Sequence, residues 1–252
     1  MLTPEEWLLL LEMWEHSPAF AQVETFHQLY GSASAPVRVT CSDGEQWVIK
    51  GPKDRTPFNE QVIGCLGRRL GSPIPPIAIL ELTEELRNAE PSLHDMTPGF
   101  IHGSRFQRDC ADREGLKHWN QPENRPRFAA LAVLYTWMHA TDHQVLFEAT
   151  PPNRVWSVDH GHFFTGTPQW TPALLAALPR PTQLDVFFGP ASLTSAELAP
   201  PFALLSGITA VDIAEAVARP PDQWGVMMDE RVALCMYLEE RQRIVLSLRS
   251  AS

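Results

Sequence analysis

Apolar and polar residues alternate with period two in two neighbouring stretches, Val37-Arg38-Val39-Thr40-Cys41 and Gln46-Trp47-Val48-Ile49-Lys50. Successive side chains on a strand point to opposite faces, so this alternation predicts two half-buried strands. Ser42-Asp43-Gly44 supplies turn residues between them, and the unit reads as a hairpin. Ahead of it, Thr3-Pro4-Glu5-Glu6 predicts a helix start, with Thr3 as cap, Pro4 in the first turn and Glu6 completing a capping box. That helix is expected to reach residue 16 and stop before Ser17-Pro18, with Trp7, Leu8, Leu11 and Trp14 on one face. Thr56-Pro57 opens a second helix that ends at Gly71. Residues 77–82 predict a further strand, and residues 99–106 an extended segment.

Past residue 110 the period changes. Residues 125–139 predict a helix, and helices are also expected over 173–178, 196–205, 211–218 and 229–250. One strand pair interrupts them: Val145-Leu146-Phe147 and Val155-Trp156-Ser157-Val158, joined by a turn at Pro151-Pro152-Asn153. The pattern predicts an α+β fold with a helix and lead-in over 1–30, a β-rich part over 31–105 and an α-rich part over 106–252.

With 252 residues, 44% apolar and 20% charged, the chain can bury a sizeable core. Its net charge of −10 argues against direct nucleic-acid binding, which needs clustered cations. It leaves room for a local basic pocket, for which Lys50, Lys53 and Arg55, or Arg68 and Arg69, are candidates. Cys41, Cys65, Cys110 and Cys235 form no CxxC pair and read as free thiols of a reducing compartment. The start, MLTPEEW, has no basic leader region, and no run of about 18 apolar residues is present. These features lead to the expectation of a soluble, cytoplasmic protein.

The densest chemistry lies in residues 140–164, ATDHQVLFEATPPNRVWSVDHGHFF. Asp142-His143 and Asp159-His160 stand at the two ends of the strand pair, so the hairpin brings two carboxylates together. Phosphotransferases use such a pair, one Asp at the attacking hydroxyl and one on the metal that bridges the phosphates. Lys50 ends a strand and Glu60 lies inside the next helix, the order of the lysine–glutamate pair that fixes an ammonium over phosphates. Gly31-Ser32-Ala33-Ser34 could cover phosphates but lacks G-x-G-x-x-G spacing. No Walker loop, G-x-S-x-G or H-E-x-x-H occurs. His160 and His162, with Asp159 and His143, offer an alternative set of donors suited to zinc, iron or manganese.

Together these pieces resemble the HipA-like kinase family. Ser42-Asp43-Gly44…Trp47-Val48-Ile49-Lys50, Asn59-Glu60 and Leu66-Gly67-Arg68-Arg69-Leu70-Gly71-Ser72-Pro73-Ile74-Pro75 look like the small lobe of that family. Trp137…Asp142 and Trp156-Ser157-Val158-Asp159-His160…Phe164 look like its catalytic and metal-binding segments, and Trp224…Glu239-Glu240-Arg241 is similar to its terminal helix. The resemblance implies a two-lobed protein-kinase-like fold that uses ATP and Mg²⁺. Lys50 would hold phosphate, Glu60 would pair with Lys50, Asp142 would be the catalytic base and Asp159 a Mg²⁺ ligand. Gly103-Ser104-Arg105 matches a frequent G-S-R of the family and puts Ser104 among the nucleotide-side candidates.

One departure stands out. The family's catalytic loop reads D-R-x-x-x-N, with the Asn on metal, and here Phe147 occupies the Asn place and His143 the Arg place. Gln144 could offer a carbonyl oxygen instead, as a catalytic and metal-side candidate beside Asp142; Glu148 and His160 are further candidates for the metal. Three functions follow: a slow phosphotransferase acting on a protein Ser or Thr or a small alcohol; a pseudokinase that binds nucleotide or protein; or a metal-dependent hydrolase built on Asp142, His143, Asp159, His160 and His162. Toxin–antitoxin pairing in some relatives brings an antitoxin-like partner into consideration.

Overall fold

The structure, a computed structural model, describes residues 1–31, 36–50, 54–112 and 115–249. Most of the Gly31–Ser34 loop and Lys53 lie outside the described residues. Helix α1 (Pro4–Glu12) begins with the expected capping box between Thr3 and Glu6. It ends earlier than residue 16, because His16 is drawn across to the Ala218 carbonyl (3.0 Å) and Asp222 (3.1 Å).

Strand β1 (Ala21–Leu29) is not visible in the sequence pattern, and it turns part of the supposed lead-in into barrel wall. Only Ala21 and Val23 are buried along it, and its register against the next strand shifts twice, which destroys the period-two signal. Strands β2 (Val37–Cys41) and β3 (Gln46–Lys50) form the predicted hairpin, with Val37, Val39, Cys41, Trp47 and Ile49 turned inward. Helix α2 (Thr56–Arg69), strand β4 (Ile77–Leu82), a short helix α3 (Glu84–Ala89) and strand β5 (Gly99–Arg105) follow. The five strands close into a barrel in the order β1-β2-β3-β5-β4. Its filling of Val23, Val39, Trp47, Ile49, Leu80 and Ile101 is one hydrophobic core.

Strand β6 (Cys110–Asp112), too short for a period to be read, begins the second half. Helix α4 (Arg125–Met138) comes next and is buried all round from Phe128 onward. Strands β7 (Gln144–Glu148) and β8 (Val155–Val158) make the predicted antiparallel hairpin, with β6 added on its β7 edge. Helices α5 (Pro172–Ala177), α6 (Ser195–Gly207), α7 (Ala210–Ala218) and α8 (Met228–Leu248) complete the chain. Trp137 donates to the Leu238 carbonyl, and Arg241 donates to the Trp137 and Thr136 carbonyls, which ties α4 to α8. Helix α2 shares this second core through Phe58, Val62, Ile63 and Leu66. Gly67 permits the close approach: a Cβ there would lie 2.5 Å from Ile74 Cδ1 and 2.9 Å from Leu134 Cδ2. Among the described residues no single helix is long and apolar enough to cross a membrane. The four cysteines are free thiols.

Candidate active site

The alternation of β3 buries Trp47 and Ile49 in the barrel and turns Val48 and Lys50 to the other face, where both line a cavity. The Lys50 ammonium lies 2.9 Å from Glu60 Oε1 on α2 and 2.5 Å from Asp159 Oδ1 just past β8. The Lys50 and Glu60 side chains are 11% and 4% exposed, so this is a buried ion pair. Burial alone would depress the Lys50 ammonium, but Glu60 and then Asp159 outweigh it and hold it above the usual lysine value. Burial likewise pushes the Glu60 carboxyl up, yet the Lys50 charge and a hydrogen bond from His160 bring it well below the usual carboxylate range.

The hairpin register sets the other side of the cavity. Gln144 stands opposite Val158, so Asp142 and Asp159 leave the same end of the β7–β8 ladder. Asp159 adopts φ 60°, a left-handed backbone uncommon outside glycine and often found where function constrains the chain. Along β7 the side chains alternate: Val145 and Phe147 enter the core, while Gln144 and Leu146 line the cavity. Gln144 donates its amide to Asp142 Oδ2 at 3.0 Å, so its carbonyl oxygen is the group it can offer a cation. Phe147 is 1% exposed and packs on Phe128 and His118, so the place of the expected Asn faces away from the cavity. Glu148 is engaged by the Arg154 amide and guanidinium at the hairpin turn, which removes it from the candidates.

His160, expected among the metal ligands, is a bridge inside the protein instead. It is 2% exposed, with Nδ1 3.3 Å from Glu60 Oε2 and Nε2 2.7 Å from the Ser157 hydroxyl, which in turn meets the Tyr135 hydroxyl at 2.7 Å. A neutral imidazole satisfies the whole chain: Tyr135 donates to Ser157, Ser157 to His160, and His160 to Glu60. Both oxygens of Glu60 are thereby committed. His143 pairs with Asp185 (3.1 Å) and stacks on Phe187, and His162 is exposed. Among the described residues no group of three or more His, Cys, Asp or Glu side chains is arranged to hold a metal, so the hydrolase constellation does not assemble. The other cation clusters are also engaged elsewhere: Arg55 with Glu230 and the Trp170 carbonyl, Arg69 with Asp212 and Glu215, and Arg68 with the Ile74 carbonyl.

The cavity itself measures about 320 Å³. Lys50, Gln144 and Asp159 give it a polar end, Val48, Leu146 and Val158 supply apolar wall, and Ser104 lines it from β5. Two contributors had no role assigned from the sequence, although Asn59 stood in the family motif with Glu60. Asn59 donates to the Gly161 carbonyl (2.8 Å) and accepts from Trp170 Nε1 (2.8 Å), joining α2 to the segment after β8; its place beside Glu60 was the available signal. His102 lines the cavity two residues before Ser104, and strand parity from Ser104 would have found it.

The HipA-like kinase family model matches residues 23–164, over half of the chain. The chain belongs to the HipA-like kinase family. The matched span runs from β1 to Phe164 and contains Lys50, Glu60, Asp142 and Asp159. No curated protein matches the sequence. Among solved structures, the Helicobacter pylori proinflammatory kinase CtkA is similar at TM-score 0.62 and 10% identity, with 92% of this chain and 97% of that one covered. The Golgi casein kinase with Mn/ADP bound is similar at TM-score 0.50 and 11% identity, with 96% of this chain and 75% of that one covered. At such identities the likeness shows a shared kinase-like fold.

Proposed function

We propose that this HipA-like kinase is an ATP- and Mg²⁺-dependent phosphotransferase acting on a hydroxyl, that of a protein Ser or Thr or of a small alcohol. The observation that carries the reading is Lys50, held between Glu60 and Asp159 at the polar end of the cavity. In this reading the barrel with α2 is the small lobe, and residues 106–252 form the large one. The donors suit the ligand. Carboxylate and carboxamide oxygens match a hard cation, an ammonium matches phosphate, and the apolar wall suits a base. Bound MgATP would supply the phosphoryl group and the neutralising cation.

The chain's own residues then divide the work. Glu60 keeps the Lys50 ammonium charged and aimed into the cavity. Asp159 and the Gln144 carbonyl are the cation-facing oxygens, and Ser104 belongs to the nucleotide side. Asp142, steadied by the Gln144 amide, orients the attacking hydroxyl and takes its proton. Losing a metal contact at Phe147 removes stabilisation of the transferring group, on the order of 10²–10³ in rate, so turnover is expected to be slow.

The test is MgATP binding by calorimetry and ATP turnover with Mg²⁺ or Mn²⁺, wild type against Asp142→Ala. Binding in both proteins with turnover in the wild type alone supports the proposal. Equal turnover in both removes Asp142 from the chemistry. The burial of Phe147 favours a second reading, a pseudokinase, which binding without any turnover would support.

A further inference from the structure

We propose that the groove between α1 and α8 docks an amphipathic helix of a partner protein, one whose apolar face is flanked by Lys and Arg. The groove shares no lining residue with the catalytic cavity and stands apart from the phosphotransferase reading. It measures about 560 Å³. Pro4 and Leu8 form one wall, and Met228, Val232, Ala233 and Met236 form the other. Residues four apart on a helix are surface neighbours, so Leu9 continues the apolar strip beside Glu5. Leu9 is 64% exposed and Met228 41%. Apolar surface left open to water and bounded by polar residues marks an interaction site. A furrow between two packed helices suits a third helix laid along it, and unbranched methionines adapt to its side chains.

Charge selects the occupant. Glu5 and Asp229 line the groove, and Glu12 lies two turns after Glu5 on the same face of α1. All three are exposed, and none makes an ion pair among the described residues. Neither helix supplies a cation to balance them. Helix α1 contains no Lys or Arg, and α8 as far as Met236 contains Arg231 alone. That side chain is 1% exposed and donates to the Val217, Ala218 and Pro220 carbonyls. A second copy of the chain, docked by a two-fold contact, would set these carboxylates against their own counterparts. An anionic lipid surface would be repelled in the same way. The net charge of −10 acts in the same direction. A basic amphipathic helix gains twice: its apolar residues fill the groove, and its cations reach the unpaired carboxylates.

The experiment uses the full chain at about 0.15 M salt. The probe is an amidated peptide of about 14 residues, four helical turns, with Leu on one face and Lys on the other. A Leu–Glu peptide of the same pattern is its counterpart. Fluorescence anisotropy measures affinity, and methyl NMR follows Met228 and Met236, assigned by substitution. The Leu–Lys peptide is expected to bind and to move both methyl signals, and the Leu–Glu peptide to do neither. Leu9→Ser should weaken binding about tenfold, and so should Glu5→Lys combined with Asp229→Lys. Glu84→Lys combined with Glu85→Lys, on exposed α3, should change it less than about twofold, because salt screens distant charges. All the substituted positions face solvent, and the methyl shifts of the wild type stand independently of them. Wild-type affinity in the groove variants, or methyl signals that do not move, overturns the proposal. An equal loss in the α3 variant overturns it too, since the peptide would then be reading net charge alone. Equal affinity for the Leu–Glu peptide removes the charge argument and the proposal with it. Sedimentation equilibrium showing a dimer that Leu9→Ser dissociates would give the groove to a second copy instead.

Discussion

Replacing Lys50 with Met removes the ammonium between Glu60 and Asp159 while keeping a side chain of similar length. Glu60 is then left 4% exposed with no cation beside it. Breaking a buried pair on one side costs about 3–5 kcal/mol. A second route gives the same size. A stranded carboxylate can escape by taking up a proton, and for a group with an ordinary value of 4.5 that costs at most about 3.4 kcal/mol at pH 7 and about 0.7 at pH 5. In the wild type the depressed Glu60 contributes stability that is fully present above its ordinary value, so it does not change between pH 5 and 7. In Lys50→Met burial raises the carboxyl instead. The folded state then holds the extra proton, and stability falls as pH rises. Urea unfolding followed by tryptophan fluorescence should therefore show a penalty of about 3 kcal/mol at pH 7 that shrinks by more than half at pH 5. Adding Glu60→Gln should recover most of it. A penalty below about 1 kcal/mol at pH 7, or one of equal size at the two pH values, would refute the claim that Glu60 is buried and held charged by Lys50.

Asp159→Asn should weaken MgATP binding at least about tenfold, read by calorimetry, because a charged oxygen facing the cation is lost; unchanged affinity would remove Asp159 from the site. Phe147→Ala should cost about 3–5 kcal/mol in urea unfolding, since the ring is 1% exposed, and Phe147→Asn should lose stability without gaining turnover. Ser157→Ala should lower unfolding stability by about 1–3 kcal/mol by orphaning Tyr135 and His160. Glu197, which accepts two hydrogen bonds from Arg125 and others from Thr194, is held down to about 2. The stability it contributes is present above 4.5 and lost as pH falls toward 2. Melting curves across that range should be flatter in Glu197→Gln than in wild type.

The hairpin of Val37–Cys41 and Gln46–Lys50, helix α2 and the β7–β8 pair were legible because a clean period of two, a Thr-Pro start or a Pro-Pro-Asn turn marks each one locally. Strand β1 was hidden because most of its residues face solvent and its register slips. Contacts between distant segments left less trace. Lys50 and Glu60 could be paired from their order along the chain. Nothing local announces that His160 turns inward to Glu60 and Ser157, because an Asp-His-x-His run has the same composition whether it binds a metal or fills a core. Phe147 shows the reverse case: its parity with Val145 on β7 already places it on the core side, away from Gln144.

Helix α2 follows the barrel's β3 in sequence but is cemented into the other core, by Phe58 and Val62 through packing and by Asn59 and Glu60 through hydrogen bonds to the residues after β8. The Lys50–Glu60 bond therefore joins the barrel's β3 to a small-lobe helix that packs, with Ile79 of β4, in the second core. It is one of a few polar links across the boundary between the two cores, with the Lys50–Asp159 pair and the hydrogen bonds from Gln223 and Trp224 to the Phe100 carbonyl, so rocking of the barrel against the helical body would load them together. Amides of α2 should accordingly exchange with solvent in step with α4 and not with the barrel strands.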